Sequence, residues 1–195
     1  QSTIDAMSII IEVRDPYTAG HQRRVAELAC AIAEEMNLPD TTIQGIRMGA
    51  MIHDIGKIYI PAEILSKPGK LSPLEFDMMK AHPRVGHSIL SRVEFNAPIA
   101  DMVYQHHEKL DGSGYPQGLK GEEILLEARI LSVADVVEAM SSHRPYRPAL
   151  GIDRALEEIV SMRGIVFDEE VVDTCVALLR KKNFQFSQDG KTTSF

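Results

Sequence analysis

Residues 48–60 read MGAMIHDIGKIYI, with His53 and Asp54 side by side inside an otherwise apolar run. An ionised carboxylate in such surroundings is costly unless a cation or a full set of hydrogen bonds compensates its charge. The pair alone leaves two interpretations open: a bound metal ion, or a hydrogen-bonded core histidine beside an aspartate near a helix end. For an isolated pair the second interpretation is the more common, so other parts of the sequence are needed to choose between the two.

The chain around this stretch has a helical pattern. Apolar residues recur at spacings of three and four, as at Ile4, Met7 and Ile11, and Ser72-Pro73-Leu74-Glu75 is a strong helix start. No alternating run is long enough for a sheet. The sequence therefore predicts an all-α fold in a single compact domain. The predicted helices span about residues 4–14, 19–36, 40–54, 73–82, 85–93, 98–108, 122–142, 154–163 and 169–182.

Three segments are expected along the chain. Residues 1–14 form a connector helix from an upstream sensor or receiver domain, although a trimmed natural N-terminus fits nearly as well. Residues 15–184 form the main domain, and residues 185–195 form a polar tail. Within the main domain Thr18, Asp153 and Asp168 are predicted helix caps, and Gly56 is predicted to permit a left-handed turn.

Composition narrows the function classes. The 195 residues carry a net charge of −7 at pH 7, which argues against a general DNA-binding or RNA-binding surface. No stretch approaches the ~20 apolar residues of a membrane span, so we expect no membrane segment here. Cys30 and Cys175 lie in apolar helical patterns and are expected to be reduced thiols. These features predict a cytoplasmic protein.

Further polar residues at helix ends or in apolar surroundings favour a bound metal ion over a hydrogen-bonded core pair at His53 and Asp54. Asp135 lies in the middle of the most apolar helix and is a second costly charge. Histidine and carboxylate ligands suit Fe, Mn, Ni, Co or Zn. The candidate metal ligands are His21, His53, Asp54, His82, His106, His107 and Asp135. Taken singly, His21 and His82 are also compatible with helix-end polar residues.

Seven ligands exceed what one tetrahedral ion uses, so the sequence predicts two divalent ions bridged by Asp54. Ions ~3.5–4 Å apart can activate a water and hold the phosphate that it attacks. Hydrolysis of a phosphate ester is the predicted reaction class.

Two motifs carry a resemblance to a known family. HDIGK at 53–57 and HHEKLDGSGYP at 106–116 resemble the paired signature of the HD-GYP family, a branch of the HD metal-dependent phosphohydrolases, and the likeness covers about residues 14–182. The resemblance implies an all-helical cyclic di-GMP phosphodiesterase of bacterial signalling that forms linear pGpG and possibly GMP. It also implies one ion held by His21, His53, Asp54 and Asp135, and another by Asp54, His82, His106 and His107.

The same resemblance implies roles around the metals. Asp54 and Lys57 would be catalytic, with Lys57 against a phosphate, and Arg144 and Arg147 match positions that contact the dinucleotide phosphates. Arg147 fits equally well as half of a surface ion pair. The Gly-Tyr-Pro loop is linked in the family to diguanylate cyclase docking and to the substrate mouth. The loop residues predicted to contact substrate are Asp111, Gly114 and Tyr115.

Some family members hold a third metal with a glutamate four residues before the first histidine. Tyr17 occupies that position here, so we expect two ions. Two alternatives stay open: another HD-type reaction, such as nucleotide phosphohydrolysis or di-iron oxygenation, and a non-catalytic cyclic-dinucleotide sensor or docking module. The Gly-Tyr-Pro and Arg-Pro-Tyr-Arg segments argue against the first, and the complete ligand set argues against the second. A homodimer formed through the first helix also stays open.

Overall fold

The computed structural model describes residues 2–15, 20–142, 150–182 and 184–187. In those residues the regular secondary structure is entirely helical, with two isolated β-bridges and no strand, so the all-α prediction is confirmed. Short 3₁₀ helices cover Ile55–Tyr59 and Gly121–Glu123. The α-helices are α1 (Ser2–Arg14), α2 (His21–Glu35), α3 (Asp40–Ile52), α4 (Ala62–Leu65), α5 (Pro73–Met79), α6 (His82–Leu90), α7 (Ile99–Gln105), α8 (Leu126–Ser141), α9 (Ile152–Ser161) and α10 (Glu169–Lys181).

The main core lies around α2, which packs against α3, α8 and α10. Its fully buried residues include Leu28 and Ile32 of α2 and Leu131 of α8. A second apolar cluster joins Ile4 and Ile11 of α1 to Ile52 at the end of α3 and to residues of α6 and α7. Burial of these side chains is the dominant stabilising term. The second cluster packs α1 beside the chain segment that carries His53 and Asp54.

Several predicted helix ends are confirmed. Ser72 forms a reciprocal capping box with Glu75, and Asp168 accepts hydrogen bonds from the backbone N–H groups of Glu170 and Val171. The prediction for Asp153 is wrong, because Gly151 is the N-cap residue of α9 and Asp153 lies in the first turn. Gly151 has φ 88° and ψ 160°, a conformation that side chains rarely allow. Thr18 lies outside the described residues.

The helix predicted from residue 122 begins later, at Leu126, because the 3₁₀ helix Gly121–Glu123 precedes it and Ile124 is extended. The end of the chain also differs in part from the expected polar tail. Phe186, within the predicted tail of residues 185–195, packs against the main core together with Phe184 of the main domain. Residues 188–195 of the predicted tail lie outside the described residues. None of the helices in the described segments is long and apolar enough to span a bilayer.

Gly56 does not form the left-handed turn that the sequence predicts. It lies inside the 3₁₀ helix Ile55–Tyr59 and does not have a positive φ. A Cβ at this position would lie 1.9 Å from the carbonyl oxygen of His82 and 2.7 Å from the backbone nitrogen of Gly86. Glycine is therefore required by the close approach of α6, which brings His82 to Asp54.

Candidate metal centre

Most of the candidate ligands lie at the ends of helices. His53 is the C-cap residue of α3, His106 is the C-cap residue of α7, and His21 and His82 are the first residues of α2 and α6. Asp135 projects from the middle of α8. The side chains meet in the interior, where His21, His53, Asp54, His82 and His106 are each at most 3% exposed.

The seven predicted ligands come together in two groups. Ligand atoms of His82, His106 and His107 lie within 4.8 Å of one another, and so do those of His21, His53 and Asp54. Asp135 joins the second group, because its Oδ1 lies 3.2 Å from His21 Nε2 and 4.0 Å from His53 Nε2. This division matches the ligand sets that the resemblance implies; the ligand role of each residue stays a prediction.

Asp54 lies between the two groups. Its Oδ1 is 3.5 Å from His82 Nε2, and its Oδ2 is 3.5 Å from His53 Nε2. A carboxylate has two oxygens and can bind an ion with each of them. The position of Asp54 therefore suits a bridging ligand.

Three histidines are oriented by backbone carbonyls. Nδ1 of His53, His82 and His106 lies 2.7, 2.8 and 2.7 Å from the carbonyl oxygens of Ala50, Met79 and Val103, respectively. A carbonyl oxygen can only accept, so each Nδ1 carries the hydrogen. In the neutral form of each ring, Nε2 then carries the lone pair that binds a metal ion.

Burial keeps the His82, His106 and His107 group neutral. It lowers the pKa of His82 to about 3 and that of His107 to about 4, and it holds the pKa of His106 well below the ordinary value. Neighbouring histidines lower the pKa of His106 further. At neutral pH these three imidazoles offer lone pairs and need not release a proton to bind an ion.

His21 has the opposite electrostatic surroundings. Burial alone would lower its pKa, but hydrogen bonds to Asp135 and Glu138 raise the pKa of His21 to about 9. Nε2 faces Asp135, and Nδ1 contacts Glu138 Oε2. Burial opposes the charge of Asp135 as well, yet His21 holds the pKa of Asp135 far below its usual range.

Lys57 supplies a positive charge next to Asp54. Its Nζ lies 2.8 Å from Asp54 Oδ2 and 3.6 Å from Asp15 Oδ2. Burial disfavours both charged groups, but the pair interaction outweighs it: the pKa of Lys57 is raised and the pKa of Asp54 lies well below its usual range. Lys57 is therefore a cation at neutral pH.

The loop after His107 borders the centre. The ring of Tyr115 lies 4.8 Å from that of His107 at an interplanar angle of 33°. Gly114 packs against the backbone, because a Cβ there would lie 2.5 Å from the Lys109 nitrogen and 2.6 Å from the His107 oxygen. A glycine is thus needed for this loop to lie against residues 107–109.

Two carboxylates shape the same loop. Glu108 is buried and accepts hydrogen bonds from the backbone N–H groups of Gln117, Gly118 and Leu119. Asp111 is exposed and accepts hydrogen bonds from the backbone N–H and hydroxyl of Ser113. The carboxylate of Asp111 is therefore used within the loop. Contact of Asp111, Gly114 or Tyr115 with substrate stays a prediction.

Sequence reasoning missed three residues that support the centre: Asp15, Glu108 and Glu138. Glu138 was detectable by the argument that found Asp135, because it is an acid one turn further along the same apolar helix. Asp15 and Glu108 gave no comparable signal, since both adjoin turns where exposed acids are common. Tyr17, Arg144 and Arg147 lie outside the described residues.

The donor set fits divalent metal ions. It combines five imidazoles with two carboxylates and contains no thiolate, because Cys30 and Cys175 are buried elsewhere in the core. Imidazole and carboxylate together suit Fe, Mn, Co, Ni or Zn. The arrangement can hold cations beside a neutralising lysine, which is the chemistry of phosphate-ester hydrolysis.

The HD domain family matches residues 5–171, most of the chain. The chain belongs to the HD domain family. Its second motif, HHEKLDGSGYP, places it in the HD-GYP branch, as the resemblance predicted. Its relatives include the protein named "Cyclic di-GMP phosphodiesterase response regulator RpfG" of Xanthomonas campestris, 44% identical over 92% of this chain and 47% of the relative.

Two further relatives have related names. A "Cyclic di-GMP phosphodiesterase" of Thermotoga maritima is 43% identical over 90% of this chain and 48% of its own. The "3'3'-cGAMP-specific phosphodiesterase 3" of Vibrio cholerae is 40% identical over 91% of this chain and 38% of its own. The chain thus spans about half the length, or less, of these curated relatives.

Solved structures share the HD fold. The Vibrio cholerae cyclic GMP-AMP phosphodiesterase V-cGAP3 aligns with a TM-score of 0.59 at 33% identity, over 91% of this chain and 40% of its own. Bd1817, described as an HDG"Y"P protein from Bdellovibrio bacteriovorus, aligns with a TM-score of 0.67 at 20% identity, over 82% of this chain and 51% of its own. The second likeness concerns the fold alone.

Proposed function

We propose that this HD-GYP domain is a metal-dependent phosphodiesterase that hydrolyses cyclic di-GMP to linear pGpG. The single observation that carries the proposal is the position of Asp54, which directs one oxygen to His82 and the other to His53. The family and the two clusters of ligand atoms support divalent-metal binding. The number and identity of the ions belong to the proposal: two ions, drawn from Fe, Mn, Ni, Co or Zn.

The proposed ligands divide around Asp54. His21, His53 and Asp135 hold one position, and His82, His106 and His107 hold the other. When bound, two divalent ions supply an activated water and positive charge against the phosphate that it attacks. His82, His106 and His107 are neutral, so their imidazoles can bind an ion without releasing a proton.

Lys57 is proposed to act on the reacting phosphate. Its ammonium group adjoins Asp54 and remains charged in the interior. Negative charge that develops on the phosphoryl oxygens would be stabilised by a cation held in place before the reaction begins. Asp15, whose Oδ2 lies 3.6 Å from Lys57 Nζ, is proposed to keep the ammonium close to the centre.

The substrate contacts are proposed from the resemblance and from the loop. A protein with a net charge of −7 needs a local cationic site for a dinucleotide, and we assign that role to Lys57, Arg144 and Arg147. Tyr115 lies against His107, where its ring can stack on a base. Asp111 and Gly114 are assigned to the substrate mouth through the shape that they give the loop.

The names of the relatives support a cyclic dinucleotide. The two relatives above that are named for cyclic di-GMP are 44% and 43% identical to this chain, whereas the one named for cyclic GMP-AMP is 40% identical. We therefore propose cyclic di-GMP as the preferred substrate. Tyr17, in place of the glutamate of three-metal members, supports two ions and a reaction that ends at pGpG.

We also propose partners and a cellular location for this protein. The Xanthomonas relative is named a response regulator and is about twice as long as the matched region, which supports a sensor or receiver domain beside this one. We assign residues 1–14 to the connector and 15–184 to the catalytic domain. The Gly-Tyr-Pro loop is the proposed docking site for a diguanylate cyclase domain, and the free thiols of Cys30 and Cys175 support a cytoplasmic location.

Product analysis tests this function. The purified chain is stripped with chelator, reloaded separately with Mn²⁺, Fe²⁺ or Ni²⁺, and incubated with cyclic di-GMP or 3'3'-cyclic GMP-AMP. We expect metal-dependent conversion of cyclic di-GMP to pGpG and slower conversion of the mixed dinucleotide. Asp54→Ala serves as the inactive control. Binding of cyclic di-GMP without hydrolysis in every metal would contradict the proposal and indicate a sensor.

A further inference from the structure

His21 differs from its partners in how its Nδ1 is held. His53, His82 and His106 each use the carbonyl oxygen of the residue three positions earlier. Met79, the last residue of α5, supplies this carbonyl to His82, which itself begins a helix. His21 also begins a helix, α2. Its Nδ1 instead contacts Oε2 of Glu138, a residue of α8 that is 117 positions away in the chain.

Glu138 is itself held in place. It is 1% exposed, and its Oε1 accepts hydrogen bonds from Arg24 Nε at 2.7 Å and from Ser142 Oγ at 2.5 Å. Both carboxylate oxygens are therefore occupied by fixed donors. A buried carboxylate with such a set of partners has one orientation, and it transmits that orientation to the imidazole of His21.

The contacts pair one turn of α2 with one turn of α8. His21 faces Asp135 through Nε2 at 3.2 Å, and Arg24, three residues later, faces Glu138 at 2.7 Å. Glu138 is likewise three residues after Asp135. Positions three apart share a helix face, so the candidate ligands and their supports lie on facing surfaces.

We infer that Glu138 is a positioning residue for the metal position formed by His21, His53 and Asp135. It holds His21 with the hydrogen on Nδ1 and Nε2 directed at the ion, and it makes the imidazole a stronger donor than one bonded to a neutral carbonyl. The inference rests on the proposed metal-dependent function. Loss of such an outer partner typically weakens metal binding by about 10–100-fold, here at one position of the two.

A purely structural role for Glu138 would give a different result when metal affinity is measured. If Glu138 served only to bind Arg24 and join α2 to α8, its replacement would lower the stability of the fold without singling out either metal position. The affinities of the two ions, measured separately, distinguish the roles. Mn²⁺ titration followed by calorimetry gives both affinities, and the visible spectrum of the Co²⁺ form reports the ligands.

The test compares Glu138→Gln and Glu138→Asp with the unsubstituted protein. Asp101→Asn is the matched control, because Asp101 is an exposed carboxylate that pairs with His87, a histidine outside the centre, at 3.4 Å. We expect Glu138→Gln to weaken one ion about 10–100-fold and to alter the Co²⁺ spectrum. Glu138→Asp restores part of the affinity, and Asp101→Asn leaves both ions unchanged.

Two outcomes would overturn the inference: two ions of unchanged affinity in folded Glu138→Gln, or an equal loss at both positions. If Glu138→Gln does not fold, Ser142→Ala removes one anchor of Glu138 while keeping its charge, and a selective weakening of the same ion is then expected. Unchanged affinities in Ser142→Ala would count against the inference. Absence of bound ions in the unsubstituted protein would instead refute the proposed function, and this inference with it.

Discussion

Lys57 Nζ lies 2.8 Å from Asp54 Oδ2, so a largely buried ammonium is paired with the carboxylate that faces both histidine groups. Removing one partner of a buried ion pair leaves the other charge uncompensated. The pair therefore links two proposed roles: Asp54 holds cations, and Lys57 balances charge at the same point. Substitutions at the two residues should separate these roles.

Lys57→Ala should lower turnover by about 10²–10³-fold while the metal content stays near normal, because the ions can neutralise Asp54 in place of the ammonium but do not replace its charge at the phosphate. Lys67→Ala is the matched control, since Lys67 pairs with Glu75 away from the centre. Steady-state kinetics and elemental analysis measure the two quantities. Loss of metal in Lys57→Ala would show that its role has been misread.

Asp54→Ala should abolish hydrolysis and metal occupancy together, because Asp54 is proposed to bridge both ions. Asp77→Ala is the control, as Asp77 is an exposed carboxylate paired with Lys80. Metal content after desalting and product formation are measured on the same preparation. Full activity with a normal metal content in Asp54→Ala would refute the bridging role.

Gly56→Ala should destabilise the fold by about 1–3 kcal/mol, as for other overpacked sites. The added methyl group would lie 1.9 Å from the carbonyl oxygen of His82, so α6 must move and the His82 position should lose metal affinity. In Gly121→Ala, the control, no atom lies within 4 Å of the new Cβ, but the φ of 51° strains the backbone, so this variant should lose some stability and keep its metal affinity. Chemical unfolding and metal titration provide the measurements. Unchanged metal binding in Gly56→Ala would mean that the close approach does not position His82.

Metal binding should release a proton from His21 at pH 7–8. The metal-free pKa of His21 is about 9, so below that pH its Nε2 carries a hydrogen that an ion must displace. The affinity of that position should rise about tenfold per pH unit up to about pH 9 and then level off. Calorimetry in buffers of different ionisation enthalpy counts the protons. Affinity that does not vary with pH at either position would contradict this assignment.

The free-energy cost of burying a carboxylate was enough to single out two residues of the candidate site from the sequence. Asp54 and Asp135 stand out because a carboxylate in an apolar helix needs a cation or a full set of hydrogen bonds. The same argument applies to Glu138, an acid three residues after Asp135 in the same apolar helix, which was not predicted. The all-α fold followed from apolar spacing and from caps such as Ser72 and Asp168, which the structure confirms.

Other features depend on packing between segments that are distant in sequence. The approach of His82 to Gly56 and the pairing of Asp15 with Lys57 arise when α1 and α6 pack beside the 3₁₀ helix Ile55–Tyr59. Local pattern does not encode such contacts, so the reason for Gly56 was misassigned. The N-cap at Gly151 was missed for a related reason, because Asp153 is the better capping residue by local preference.

Anomalous X-ray diffraction from crystals of the chain grown with Mn²⁺ is the sharpest test of the two-ion site, because it locates each ion without reference to activity. We expect two anomalous peaks ~3.5–4 Å apart, one on each side of Asp54, with His82, His106 and His107 at one peak and His21, His53 and Asp135 at the other. No peak at Asp54, or a single ion bound away from these side chains, would contradict it.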